Sequence, residues 1–189
     1  MSRIVSDYGT CGSRPESVNF FFHGLDSSHE SSKYKALPTP KMCINMDFSA
    51  PDDMVETVLD VSRPDDIFVG HSFGALWALC AAGTSAGKCL LINPSFRPAR
   101  FFGEGANAVL RDRYERMYEG AMNFISTVHG IALIELGDEI VDQRPNIELL
   151  SKYMDVEVFD GGHHRFKRVH LIPKFVSNLR YSFAEKGTD

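Results

Sequence analysis

Six short runs of consecutive apolar residues recur along the chain: Val18 to Phe22, Met42 to Met46, Ile67 to Val69, Cys89 to Ile92, Ile131 to Leu136 and Val156 to Phe159. Apolar character at successive positions, rather than at every second one, is the pattern of a strand covered on both faces. Between these runs the spacing of apolar residues predicts helices starting near Ser31, Pro51, Phe73, Arg111 and Asn146, and a last one from Leu171 to Phe183. Strands alternating with helices in this way predict an α/β protein with a mostly parallel sheet of about six strands and helices on both faces. In such a sheet the connections at the carboxyl ends of the strands carry the working groups. There is no internal repeat, low-complexity tract or linker, so residues 1–189 read as a single domain, with residues 1–16 an N-terminal arm or an extra edge strand.

Composition narrows the picture a little. A chain of 189 residues, 43% hydrophobic and 24% charged, fits one globular domain with a proper core. The formal charge of -5, with no long run of either sign, argues against a nucleic-acid-binding surface. The first residues, Met1 to Asp7, lack an apolar core of signal-peptide length, and no stretch approaches the roughly 20 apolar residues of a membrane span. A cytoplasmic protein with no membrane span is expected. Cys43, Cys80 and Cys89 fall in apolar runs and Cys11 in a polar segment, without C-x-x-C or Cys/His ligand spacing. Reduced thiols and no metal site are the expectation.

The chemistry is carried by Gly70-His71-Ser72-Phe73-Gly74, which follows the run Ile67-Phe68-Val69 and opens an apolar helix. G-x-S-x-G between a strand and a helix is the nucleophile elbow of an α/β-hydrolase, in which a serine is held exposed on a tight turn. A serine hydroxyl is a poor nucleophile at neutral pH and needs a base, and the base needs an orienting carboxylate. In this fold both come later in the chain, acid first. Asp138, in the turn after Ile131 to Leu136, is the first choice of acid; Asp142, four residues on, is the second and can instead start the next helix. The base falls in Asp160-Gly161-Gly162-His163-His164-Arg165-Phe166, where two histidines compete. His23 reads as a buried residue holding its loop, and the side chain of His71 is expected to point away from Ser72. His29 and His129 lack partners for the role, and His170 starts the final helix. Negative charge developing on an acyl oxygen calls for two backbone N–H donors, expected from Phe73 and from Leu25, where Gly24 lets the backbone approach.

Taken together, His23-Gly24-Leu25-Asp26-Ser27-Ser28, Gly70-His71-Ser72-Phe73-Gly74, Asn93-Pro94-Ser95-Phe96-Arg97-Pro98, Gly137-Asp138-Glu139-Ile140-Val141-Asp142 and Gly161-Gly162-His163-His164-Arg165-Phe166 resemble, in order and spacing, the small YqiA-like esterases of the α/β-hydrolase superfamily. The likeness spans roughly residues 17–180. It implies a single-domain α/β-hydrolase fold with a minimal lid or none, and a triad of Ser72, Asp138 and His164. His163 stands where that family commonly has asparagine or aspartate, which leaves an exchange of roles between the two histidines open.

The longest connection, Pro94 to Gly130, carries Phe96, Phe101, Phe102, Tyr114, Met117, Tyr118, Met122 and Phe124 beside Arg97, Arg100, Arg111, Arg113 and Arg116. Its aromatic residues are expected to be core packing more than substrate wall. Its arginines, with Arg165, Lys167 and Arg168 beyond the base, read either as a solvated face or as a lure for an anionic leaving group. The expected activity is hydrolysis of a small carboxylic ester or thioester through an acyl-enzyme, without metal or organic cofactor. Two other functions share these motifs: a hydrolase-fold binding or regulatory protein with little turnover, and an amidase or peptidase. Nothing in the motifs sets an oligomeric state.

Overall fold

The computed structural model describes residues 4–6, 15–25, 27–97 and 108–181. Six strands correspond to the six apolar runs: β2 (Asn19–Phe22), β3 (Lys41–Ile44), β4 (Ile67–His71), β5 (Lys88–Ile92), β6 (His129–Glu135) and β7 (Asp155–Phe159). All pair in parallel. Part of the N-terminal arm supplies an edge strand, β1 (Ile4–Ser6), antiparallel to β3 with Ile4 opposite Ile44. The rest of that arm up to Arg14, with Cys11, lies outside the described residues. The sheet order is β1-β3-β2-β4-β5-β6-β7.

The pleat sends alternate residues of each strand to opposite faces, and both faces are covered. Phe20, Phe22 and Phe68 join Leu76, Trp77 and Leu79 of α3 (Gly74–Ser85) in one core, with Met54 of α2 (Pro51–Leu59), Tyr114 of α4 (Ala108–Phe124) and Leu150 of α5 (Arg144–Leu150). Phe21, Val69, Leu90 and Leu133 face the other way, against Tyr34 of α1 (Ser32–Ala36) and Phe175 and Leu179 of α6 (Ile172–Tyr181). Full burial of a large apolar side chain such as Phe68 contributes about 1.5–3 kcal/mol, so these two layers hold the sheet. The helix α3 is buried along most of its length, from Gly74 through Ala82 except Cys80, which fits a sequence apolar all round. The last strand departs from the expected pattern. Among the described residues β7 is an edge paired with β6 alone, and Asp155, Glu157 and Val158 on it are exposed.

Strand order positions the site. From β2 the chain steps outward to β3, then returns to the other side of β2 to form β4. The crossovers from β2 and β4 thus leave in opposite directions, opening a crevice above their carboxyl ends, where ligands bind in open α/β sheets. The loop after β2 holds Gly24 and Leu25; β4 ends at His71, and Ser72 follows.

Candidate active site

Ser72 adopts φ 55, the left-handed region that a side chain with a Cβ rarely visits. The turn exists because its glycines let backbone meet backbone. A Cβ at Gly70 would lie 2.5 Å from Cα of Ala75, and one at Gly74 would run into the Phe22 carbonyl of β2. Gly24 has the same duty toward the serine itself, since a Cβ there would sit 2.8 Å from that of Ser72. The Ser72 N–H donates to the Ile92 carbonyl at 3.1 Å and its carbonyl accepts from Ser95 N–H at 3.0 Å, tying the turn to β5 and the loop beyond it.

The Ser72 hydroxyl lies 2.8 Å from Nε2 of His164, and Nδ1 of His164 lies 2.9 and 3.0 Å from the two carboxylate oxygens of Asp138. A carboxylate only accepts, so Nδ1 carries the proton, Nε2 of the neutral ring is the acceptor, and the serine O–H donates to it. The imidazole that meets Ser72 is that of His164. His163 is engaged through its backbone, its N–H donating to Glu135 at 2.9 Å and its carbonyl accepting from Asn93 at 3.0 Å. Between the two acids, Asp138 reaches the histidine, while exposed Asp142 pairs with Arg144 at 2.8 Å. Burial pushes the Asp138 carboxyl up, but hydrogen bonds from His164, Val141 N–H and Gln143 outweigh it and hold the group below the ordinary carboxylate range. Asp138 therefore stays ionised beside the ring at neutral pH.

The loop of His163 and His164, the candidate base loop, is anchored by residues whose part the sequence did not reveal. Glu135, fully buried at the end of β6, accepts from the N–H groups of His163 and Lys167 and from Nη1 of Arg168 at 2.7 Å. Its burial would raise it, yet these donors keep it below its ordinary value. Gly162 is packed so closely on this carboxylate that no Cβ fits, and its φ of 79 completes the Gly-Gly turn. Asn93, at φ 39, donates to the carbonyls of His163 and His164 and accepts from Glu135 N–H at 2.8 Å. Gln143 bonds Asp138 at 2.7 Å. A lone carboxylate ending an apolar run, as in Ile131 to Leu136, was the available signal for Glu135.

His71 also belongs to this scaffold. Its Nε2–H donates to the His164 carbonyl at 2.9 Å and its ring lies 5.5 Å from that of His164, so the side chain turns toward the base loop. Burial pushes its imidazole down to about 3, with Lys33 adding to the effect, and its buried Nδ1 has no partner among the described residues. The ring stays neutral at neutral pH. His23 is buried, as expected, with Nδ1–H bonded to the Gly24 carbonyl at 2.8 Å and Nε2 accepting from Met46 N–H.

Ser72 and His164 open into a cleft of about 660 Å³ whose lining includes Gly24, Leu25, Phe73, Ile140, Val141 and Lys33. Leu25 and Phe73, the two expected donors of backbone N–H groups, both border it. Exposed Leu25 and Ile140 form an apolar rim. Phe96, Tyr114 and Met117 are core residues instead, with Tyr118 and Met122 packed against them, while residues 98–107, including Phe101 and Phe102, lie outside the described ones. Arg97 stacks over Tyr118 at 4.6 Å, Arg113 pairs with Asp53 at 3.7 Å and Arg116 with Asp112. Of the basic residues singled out above, Arg165 reaches the cleft. Cys43 and Cys89 are buried and Cys80 half-buried, all as free thiols, and burial pushes the Cys89 thiol up to about 12, so it is unreactive.

No family model matches the chain, and no curated protein does. Solved structures do. Est1E from Butyrivibrio proteoclasticus, in a structure described as binding ferulic acid, superposes with a TM-score of 0.64 over 93% of this chain and 94% of that one, at 14% identity. Mouse alpha/beta hydrolase domain-containing protein 10 gives a TM-score of 0.63 over 94% and 98% of the two chains, at 15% identity. An acetyl ester-xyloside bifunctional hydrolase from Caldicellulosiruptor lactoaceticus gives 0.60 over 95% and 84%, at 16% identity. The chain has the α/β-hydrolase fold.

Proposed function

We propose that the chain is a serine hydrolase that cleaves small carboxylic esters or thioesters through an acyl-enzyme, with Ser72 as nucleophile, His164 as base and Asp138 as the group that orients it. The observation that carries this reading is the continuous hydrogen-bonded path from the Ser72 hydroxyl through His164 to Asp138, open to a cleft at one end. Ser72 attacks the acyl carbon as His164 takes its proton, and the imidazolium so formed is stabilised by the ionised Asp138. The N–H groups of Phe73 and Leu25 receive the charge on the acyl oxygen. The protonated His164 then delivers its proton to the departing alcohol or thiol, and water repeats the sequence in reverse to release the acid.

Similarity to esterases and hydrolases of the same fold supports the reaction class, and the motif resemblance supports placing the chain near the YqiA-like esterases. A single domain over residues 1–189 working in the cytoplasm belongs to the same proposal; among the described residues no helix is long and apolar enough to cross a membrane. The test is reaction with a fluorophosphonate probe followed by peptide mapping. A single adduct on Ser72, abolished by His164→Ala, supports an activated serine. An unlabelled, folded chain that still binds esters would instead mark a binding protein built on a hydrolase fold.

A further inference from the structure

The cleft beside Ser72 contains a buried cation with no counter-charge paired to it among the described residues. Lys33, on α1, is 5% exposed, and its ammonium donates to the Arg165 carbonyl at 3.0 Å. No carboxylate among the described residues pairs with it. Capping one carbonyl needs only a neutral donor such as an amide, and an ammonium carries three N–H groups. A charge is costly to bury unpaired, so a lysine at this depth calls for a partner. Arg165 compounds the cost, because this residue borders the same cleft and its positive charge repels the ammonium. Burial and that repulsion bring Lys33 down to about 8, which leaves it largely a cation at neutral pH. The acidic residue among the described lining, Glu139, is engaged, accepting the His164 N–H at 3.0 Å.

We propose that Lys33 and Arg165 form a subsite for an anionic group, a carboxylate or a phosphate, carried by the substrate, so that the preferred substrates are esters or thioesters of small organic anions. This rests on the hydrolase reading above. The apolar rim of Leu25, Ile140 and Val141 receives the carbon skeleton, and the substrate's anionic group supplies the counter-charge that the buried ammonium lacks. Specificity then comes from the electrostatics of the cleft floor and not from the arginines of residues 97–116.

Two matched pairs of substrates separate the possible carriers of the anion: an aryl monoester of glutarate against its neutral methyl diester, with the charge on the acyl side, and acetyl phosphopantetheine against acetyl pantetheine, with the charge on the leaving group. The expected result is a kcat/KM ratio of anionic over neutral of about tenfold or more in at least one pair, the order of one charge-assisted hydrogen bond. Lys33→Met, which keeps the length of the side chain and removes the charge, should bring that ratio to about one, whereas a purely structural lysine would lower both members equally and leave the ratio intact. Should Lys33→Met not fold, Arg165→Gln at its exposed position carries the test and should lower the same ratio several-fold. Ratios near or below one in both pairs, with Ser72 still labelled by fluorophosphonate and neutral esters still turned over, would overturn the anion subsite and leave the hydrolase reading standing. An unlabelled Ser72 with no turnover of any member would remove both.

Discussion

Replacing Glu135 by glutamine is the sharpest perturbation of the scaffold that holds the base. The carboxylate is fully buried and accepts from three donors: His163 N–H at 2.9 Å, Lys167 N–H at 3.1 and 3.2 Å onto its two oxygens, and Arg168 Nη1 at 2.7 Å. Glutamine keeps one acceptor oxygen and turns the other into a donor that faces donors. If the amide oxygen serves Arg168, the N–H of His163 is orphaned; if it serves His163, Arg168 loses its partner. Losing a hydrogen bond to a charged group costs about 1.5–3 kcal/mol, and leaving a buried donor unsatisfied costs about 1–3 more. The Arg168 side chain is 32% exposed and can recover some hydration, so the expected loss is about 2–4 kcal/mol. Trp77, the chain's single tryptophan, is fully buried and reports urea unfolding by fluorescence. Because the same carboxylate fixes the backbone next to His164, kcat for an aryl ester should fall at least about tenfold with KM little changed, the pattern of a displaced base. Glu157→Gln, on the exposed face of β7, is the matched control. A Glu135→Gln chain within about 0.5 kcal/mol of the parent and with unaltered kcat would refute the assignment of this carboxylate as anchor of the base loop.

The remaining outcomes follow from the same geometry. His71 sits near 3 in the folded chain against 6.5 when free, so below about pH 6.5 only the unfolded chain takes up its proton. Its contribution to stability is complete above that pH and falls by up to about 1.4 kcal/mol per pH unit on acidification. His71→Gln should flatten the dependence of urea midpoints between about pH 6.5 and 4.5, and an unchanged slope would contradict the buried neutral ring. Gly74→Ala should cost about 3 kcal/mol or more, because the new Cβ meets the Phe22 carbonyl carbon at 2.5 Å, backbone that cannot move aside. Gly120→Ala, with nothing within 4 Å, should gain about 1 kcal/mol by helix propensity, and urea unfolding of the pair compares the two directly. His164→Ala should lose about a thousandfold or more in kcat while His163→Ala keeps a large fraction; the reverse would reassign the base.

What the sequence disclosed was what depends on local pattern. Strands buried on both faces announce themselves as unbroken apolar runs, and a strand-turn-helix with glycines flanking a serine has one geometry open to it. So the turn of Ser72 and the loops that bring Asp138 and His164 to it as a candidate site were legible. Element boundaries shifted where local signals compete: α4 is already helical at Ala108, ahead of Arg111, and α5 starts at Arg144 with Pro145 in its first turn, just ahead of Asn146. The supporting residues stayed hidden because their partners lie far along the chain. Asn93 meets His163 and His164, His71 meets His164, and Lys33 meets Arg165 across 132 positions. No periodicity encodes such pairs. β1 fits the extra edge strand that residues 1–16 offered beside an arm, a choice left open because three residues of strand carry too little pattern to decide it.

In the proposed mechanism one serine performs the chemistry. Steady-state hydrolysis of a soluble aryl ester by purified Ser72→Ala, verified as folded by its Trp77 fluorescence and urea midpoint, tests it most directly. A loss of at least about a thousandfold in kcat is expected, because removing the hydroxyl removes the covalent path and leaves only binding and oxyanion stabilisation. Turnover close to that of the parent chain would contradict it.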